Sequence, residues 1–293
     1  MATPDPLLDL AAAHGLTLDP ASISRNEIGL DFQVAYARTL DGTPWILRIP
    51  RRPDVAVGLP KEAAVLELAA ERLSVAVPEW RVVSDELVAY PQLPGAPGLT
   101  LDGDQPVWHL DPASPRYAET LGRLLADLHA TPVAEARARG IEVRQPDEVR
   151  RRWQQDVAVV ADSFRIGDAL RGRLDSWLAD DDLWPDRTVF SHGELYPAHA
   201  LIDDDGAITG VIDWTTARFD DPARDFMFQH AGAPTEAFDV TVAAYRAAGG
   251  TEWPRLADRC AALMAAGPIG YGLYALATGR AEHREAAQAQ LDP

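Results

Sequence analysis

VFSHGELYPAHALIDDDGAITGVIDWTTARFDDPARD, residues Val189 to Asp225, is the stretch that decides how this chain folds. It is entered by a short apolar run, Thr188 to Phe190, and continues into the loop His192-Gly193-Glu194-Leu195-Tyr196-Pro197. Two strand-like runs follow, His199 to Ile202 and Ala207 to Ile212. Between them Asp203-Asp204-Asp205-Gly206 supplies the Asp-Gly chemistry of a tight turn, so the pair reads as a β-hairpin. The second run delivers Asp213 as it ends. One loop and one hairpin therefore bring Glu194, His199 and Asp213 to the same end of a small sheet, a polar cluster on an apolar scaffold.

Upstream, Asp5 to Ala13 reads as a short helix ended by His14-Gly15. Asp31 to Thr39 alternates, and Asp41-Gly42 turns it into Trp45 to Ile49. There Trp45, Leu47 and Ile49 share one face, and Ile46 and Arg48 share the other. On pattern alone Arg48 is a solvated residue. A helix is expected from Lys61 to Arg72, entered by Pro60, with Glu62 in its first turn, where a carboxylate favours the helix dipole. A second hairpin, Glu79 to Val83 and Leu87 to Tyr90, runs into the Pro/Gly cluster Pro91 to Gly98, which marks the boundary of two lobes. Beyond it helices dominate. Leu121, Leu124, Leu125 and Leu128 form a core stripe closed by His129, read as a helix-end residue. Further helices are expected within Pro146 to Ala179, divided near Arg165 to Gly167, and at Phe238 to Ala248, Arg255 to Ala266 and Tyr271 to Ala277.

The 293 residues allow two lobes, and 47% apolar content supports a real core. Against 45 Asp and Glu stand 27 Lys and Arg, a net charge of −18 that repels nucleic acid and anionic membrane surfaces. The single Cys260 permits no intrachain disulfide, which fits a reducing cytoplasm. MATPDPLLDL lacks the basic start and apolar core of a signal peptide. No apolar run reaches the roughly 20 residues of a membrane span, since Cys260 to Thr278 is interrupted by Gly267-Pro268 and Gly270. The expectation is a cytoplasmic monomer.

Phosphoryl transfer needs a carboxylate for the acceptor hydroxyl, ligands for the metal on the nucleotide, and a cation on its phosphates. The protein-kinase catalytic loop places an Asp five positions before a metal-binding Asn and reaches the metal-binding Asp after a hairpin. Here His199 stands five positions after Glu194, and a hairpin leads on to Asp213. Singly each residue is a weak signal: an Asp at a strand end is commonly a turn former. Two histidines seven apart can form a metal pair, but no Cys and no HExxH pattern accompanies these. Together, with Arg48 and Glu62 upstream in order, they outweigh those readings.

HGELYPAH followed by GVIDWTTARFDDPARDF resembles the antibiotic phosphotransferases, most closely the macrolide 2′-phosphotransferases, whose pattern is HGDLHPGH, GxIDWxxA and a DP…DF ending. The upstream GLDFQVAYARTLDGTPWILRIPRRPDV is similar to their nucleotide-loop segment, so the resemblance runs from about Ile28 to Tyr274. It implies an α+β, two-lobed protein-kinase-like fold, with a nucleotide lobe over residues 1–93, a hinge near 90–95 and a catalytic lobe over 94–293. It implies Glu194 as the base, His192 as a brace for the loop, and His199 and Asp213 as ligands of Mg2+. Arg48 would contact the phosphates, paired with Glu62. The hinge Tyr90, Gln92 and Leu93 would present backbone groups to the purine of GTP, preferred over ATP in this family. Gly29 lies in the nucleotide loop, though no G-x-G-x-x-G is present. Glu194 replaces the usual Asp and reaches one methylene farther; the carboxylate is kept, so activity is expected, whether at full or reduced level. Asp221 and Asp225 would brace the loop after the metal site. For a large apolar macrolide, Met264, Pro268, Ile269, Tyr271 and Tyr274 are the candidate wall, with Glu194 beside the acceptor, although composition alone favours reading the same residues as plain core helix. A kinase of another small hydroxylated molecule and a weakened, binding-only kinase fold are the competing readings.

Overall fold

The computed structural model describes residues 5–26, 31–103, 105–251 and 254–293. Helix α1 (Pro6–Ala13) starts where the Asp5 carboxylate accepts the Leu7 N–H at 3.0 Å, with proline in the first turn. Strands β1 (Ser24–Asn26), β2 (Phe32–Arg38) and β3 (Pro44–Pro50) come next. Helix α2 (Pro53–Arg72) leads to β4 (Val82–Val83) and β5 (Val88–Pro91). The five strands make one antiparallel sheet in the order β1-β2-β3-β5-β4. Strand alternation divides β3 as its sequence demands. Trp45, Leu47 and Ile49 pack with Leu7 and Ala11 of α1, while Ile46 lies on the opposite side with Phe32 and Tyr90.

Helix α2 corrects the sequence reading. It begins at Pro53, and Pro60 lies inside it. Pro60 has no N–H to offer the carbonyl four residues back. The helix persists because Val65, Leu66, Leu68 and Ala69 are each 5% exposed or less in the main core. Glu62 therefore stands nine residues beyond Pro53, too deep for the dipole of the first turn to explain it. Just past α2, the Ala76 N–H reaches the Thr209 carbonyl and the Val211 N–H reaches the Ala76 carbonyl, both at 2.9 Å, tying this segment to the second half of the chain.

After β5 the chain crosses to β6 (Ala96–Pro97), which pairs with a strand far downstream. Strands β7 (Leu99–Asp102) and β8 (Gln105–Trp108) form an antiparallel pair that the sequence reading did not anticipate. Helices α3 (Pro115–His129), α4 (Val133–Ala138), α5 (Pro146–Ser163) and α6 (Asp168–Ala179) follow. Then come β9 (Val189–Ser191), β10 (Ala200–Ile202), β11 (Ile208–Val211) and β12 (Arg218–Asp220). Strands β11, β10 and β6 form one small sheet, and β12 and β9 another. Helices α7 (Met227–Gly232), α8 (Thr235–Ala247), α9 (Leu256–Ala265), α10 (Gly267–Thr278) and α11 (Ala281–Leu291) complete the fold.

The leucine stripe of α3 is buried as expected, and each of its four side chains contributes about 2 kcal/mol of burial. Helix α3 lies against α8 so closely that a Cβ on Gly122 would stand 2.3 Å from the Thr241 carbonyl oxygen. Leu256–Thr278, 23 residues, has the length and apolarity to cross a membrane. Here it is broken into α9 and α10 at Ala266 and sends Leu256, Cys260, Leu263 and Ile269 into the core.

Candidate active site

The catalytic-type loop leaves β9, a fully buried strand held by β12. Gly193 takes φ +86°, where a Cβ would meet the Arg224 guanidinium at 2.7 Å, so glycine is favoured there. His192 is fully buried. Its Nε2–H donates to the Ile212 carbonyl at 3.1 Å, and its Nδ1 accepts the Glu194 N–H at 3.3 Å. Those two bonds fix one neutral tautomer. Burial, and then neighbouring His199, push its pKa down to about 4. His192 thus ties the loop to the end of β11 without carrying charge.

His199 Nδ1–H donates to the Glu194 carbonyl at 2.8 Å, which leaves the Nε2 lone pair facing Asp213 Oδ2, 3.5 Å away. Asp213 sits at φ +63°, a left-handed conformation strained for a non-glycine residue, and its Oδ1 accepts the Thr215 hydroxyl at 2.7 Å. Burial works to raise the Asp213 pKa, but His199, the Thr215 hydroxyl and Arg48 together hold it below its ordinary value. Nε2 and Oδ2 are the two donors that would hold a divalent ion here. No third His, Cys, Asp or Glu joins them among the described residues. Burial raises the pKa of Glu194, with Asp213 adding to the effect and His199 opposing it, so this carboxylate is a stronger base than an exposed one.

Arg48 is 8% exposed and not solvated as its strand pattern suggested. Its Nη1 donates to Glu62 Oε1 at 2.6 Å, and its guanidinium lies over the Phe32 ring at 3.9 Å. Desolvation works against the charge, yet Glu62, Tyr90 and Asp213 together hold the arginine protonated. At the end of β5, the Gln92 N–H is taken by the Pro44 carbonyl at 2.9 Å. Strand alternation then turns the Pro91 carbonyl away from β3. Tyr90 is buried beside it, and burial raises its pKa to about 12. Gly29 lies outside the described residues.

Two buried aspartates hold the loop from behind. Asp225 Oδ1 accepts the Ser191 hydroxyl at 3.0 Å and the Gly193 N–H at 2.7 Å. Its Oδ2 accepts the His192 N–H at 3.2 Å and His129 Nε2–H at 3.0 Å. His129 is thus more than a helix end: it fastens α3 to the loop, through a contact its sequence position does not announce. Asp220 receives Arg144, Arg218 and Arg224 at 3.1, 2.7 and 2.8 Å. Burial would raise its pKa, but Arg224 and the other two cations bring it down to about 2. Asp221 instead pairs with the fully buried Arg259, which lies 4.1 Å over the Trp184 ring.

Beside the loop opens a cleft lined by Trp108, Leu110, Tyr117, Tyr196, Phe228 and Met264 among others. Tyr196 joins it to the polar cluster, its ring 4.5 Å from that of His199 and 5.1 Å from that of Phe228. Of the expected apolar wall, only Met264 is here. Ile269 is fully buried in the core and is not part of the cleft wall. The tilted rings of Tyr271 and Tyr274 lie 5.8 Å apart, Tyr274 lies 4.9 Å from His283 of α11, and Pro268 shares their helix away from the cleft. Helix periodicity identified an apolar segment but not which neighbour would claim each face.

This fold and this site together define a phosphotransferase with the architecture of the protein kinases. The family model "Phosphotransferase enzyme family" matches residues 22–259, and the chain belongs to that family. It is 54% identical to the solved macrolide 2′-phosphotransferase MphH from Brachybacterium faecium, with a TM-score of 0.91 over 99% of this chain and 97% of that one. A second solved structure, a macrolide 2′-phosphotransferase type I, is 40% identical, with a TM-score of 0.93 over 100% and 98% of the two chains. The uncharacterized protein YcbJ of Bacillus subtilis (strain 168) is 36% identical over 94% of this chain and 92% of its own.

Proposed function

We propose that this phosphotransferase moves the γ-phosphate of GTP, or of ATP, to the 2′-hydroxyl of a macrolide amino sugar. The observation that carries this reading is adjacency: the loop bearing Glu194 also bears Tyr196, which walls an apolar cleft. A bulky apolar acceptor with one reactive sugar hydroxyl suits that pairing, and the kinship with two macrolide 2′-phosphotransferases supports it. The net charge of −18 favours an acceptor carrying a protonated amine.

Glu194 orients the acceptor hydroxyl and takes its proton, aided by its raised pKa. His192 and Asp225 keep the Glu194 backbone in place. His199 and Asp213 would hold Mg2+, which would supply neutralising charge to the nucleotide phosphates. Arg48, steadied by Glu62, adds a fixed positive charge toward them. The purine rests on the hinge from Tyr90 to Leu93, with residues 1–93 as the nucleotide lobe and 94–293 as the catalytic and acceptor lobe. We infer a cytoplasmic monomer with no nucleic-acid or membrane partner.

The test is incubation with GTP and Mg2+ and, in turn, a fourteen-membered macrolide, a sixteen-membered macrolide and an aminoglycoside, read by mass spectrometry. A single phosphate on the macrolide amino sugar is expected. Phosphate on the aminoglycoside alone would overturn the acceptor assignment.

A further inference from the structure

The acceptor cleft is apolar along most of its wall, but two deeply buried polar side chains break that pattern. Gln229 on α7 is 6% exposed and Tyr117 on α3 is 1% exposed, and both line the cleft. The Gln229 Nε2 is buried without a hydrogen-bond partner, and its carboxamide bonds to no described residue. The Tyr117 phenol forms no hydrogen bond among the described residues, and burial alone raises its pKa. An unpaired buried amide is destabilising, and a leucine or methionine would fill the same space without that penalty. Met264 and Phe228 do so on the neighbouring wall. Neither Gln229 nor Tyr117 belongs to the loop that carries Glu194, so neither is needed to build the reacting centre.

We propose that Gln229 and Tyr117 form the polar anchor of the acceptor cleft, hydrogen-bonding an oxygen on the ring of a large apolar acceptor while its sugar hydroxyl lies at Glu194. The carboxamide N–H donates to a carbonyl or hydroxyl oxygen, and the phenol donates to or accepts from the same group. This inference rests on the macrolide reading above and deepens it, because it makes the ring's oxygen pattern, and not apolar bulk alone, the determinant of which acceptors fit.

The test compares wild type with Gln229→Leu and Tyr117→Phe, measuring macrolide Kd by calorimetry, acceptor KM and kcat by GDP release, and Tm. Each variant is expected to raise macrolide Kd and KM roughly five- to tenfold, with a smaller effect on kcat. Gln229→Leu is expected to keep or raise Tm, since it removes an unpaired buried group. A lowered Tm with macrolide Kd unchanged in both variants indicates a purely structural role and overturns the anchor. Turnover by wild type with unchanged Kd and KM in both variants also overturns it, while leaving the macrolide reading intact. Wild type that neither binds nor phosphorylates any macrolide overturns the acceptor reading and the anchor with it.

Discussion

Replacing Asp225 by Asn tests the frame that holds the reacting loop. Its two oxygens each receive two donors: the Ser191 hydroxyl and Gly193 N–H on one, the His192 N–H and His129 Nε2–H on the other. An amide places an NH2 group where one oxygen stood. Ser191 can rotate and His129 can change tautomer, but a backbone N–H cannot turn. The N–H of Gly193 or of His192 is therefore left facing another donor. One buried unsatisfied donor and the loss of charge assistance on the surviving bonds sum to about 3–4 kcal/mol. A loop displaced by a fraction of an ångström lowers kcat by about 100-fold, with less effect on nucleotide KM. Urea unfolding and GDP-release kinetics read the two effects. A double-mutant cycle with His129→Phe is expected to show about 1–2 kcal/mol of coupling. Stability within about 1 kcal/mol of wild type, together with unchanged kcat, would refute the role of Asp225.

Three further outcomes are expected. Gly193→Ala meets both a left-handed φ and the Arg224 guanidinium, and loses about 1–3 kcal/mol and most turnover; wild-type unfolding would refute the contact. Glu62→Ala leaves the 8%-exposed Arg48 charge unpaired, which costs about 3 kcal/mol and raises GTP KM; an unchanged Tm would contradict the pair. His192 titrates near 4 in the fold against 6.5 when unfolded, so the unfolded state binds more protons between those values. Its contribution is complete above pH 6.5 and falls by about 3 kcal/mol as pH drops through 4. Nitrogen-15 spectra at pH 5.5 should show a neutral ring protonated at Nε2; an imidazolium signature would refute this.

The hairpin of β10 and β11 was legible because its turn chemistry is local: the Asp203 N–H and Ala207 carbonyl close it at 3.0 Å, with Gly206 at φ +79°. The α3 stripe was legible because one helix face carries all its leucines. The start of α2 was not, since Pro60 looks like a first-turn proline and only the burial of Val65 to Ala69 against distant helices keeps it interior. Glu194, His199 and Asp213 could be ordered by spacing, but Arg48 gave a solvated pattern because its partner Glu62 lies on another element. His129 and Gln229 left no local signal: the first acts through Asp225, 96 residues away, and the second matters only once α3 and α7 enclose a cleft. Ile269 was misplaced for the same reason, an apolar residue whose neighbours the chain order does not reveal.

The central claim is that Glu194 serves as the base for phosphoryl transfer to a macrolide hydroxyl. Its most direct test is macrolide-dependent GDP release by wild type, Glu194→Asp and Glu194→Gln, with GTP and Mg2+ held constant. Release that requires macrolide, is retained or raised in the aspartate variant, and drops by at least about 100-fold in the glutamine variant is the predicted result. Equal macrolide-dependent release in wild type and Glu194→Gln would contradict it.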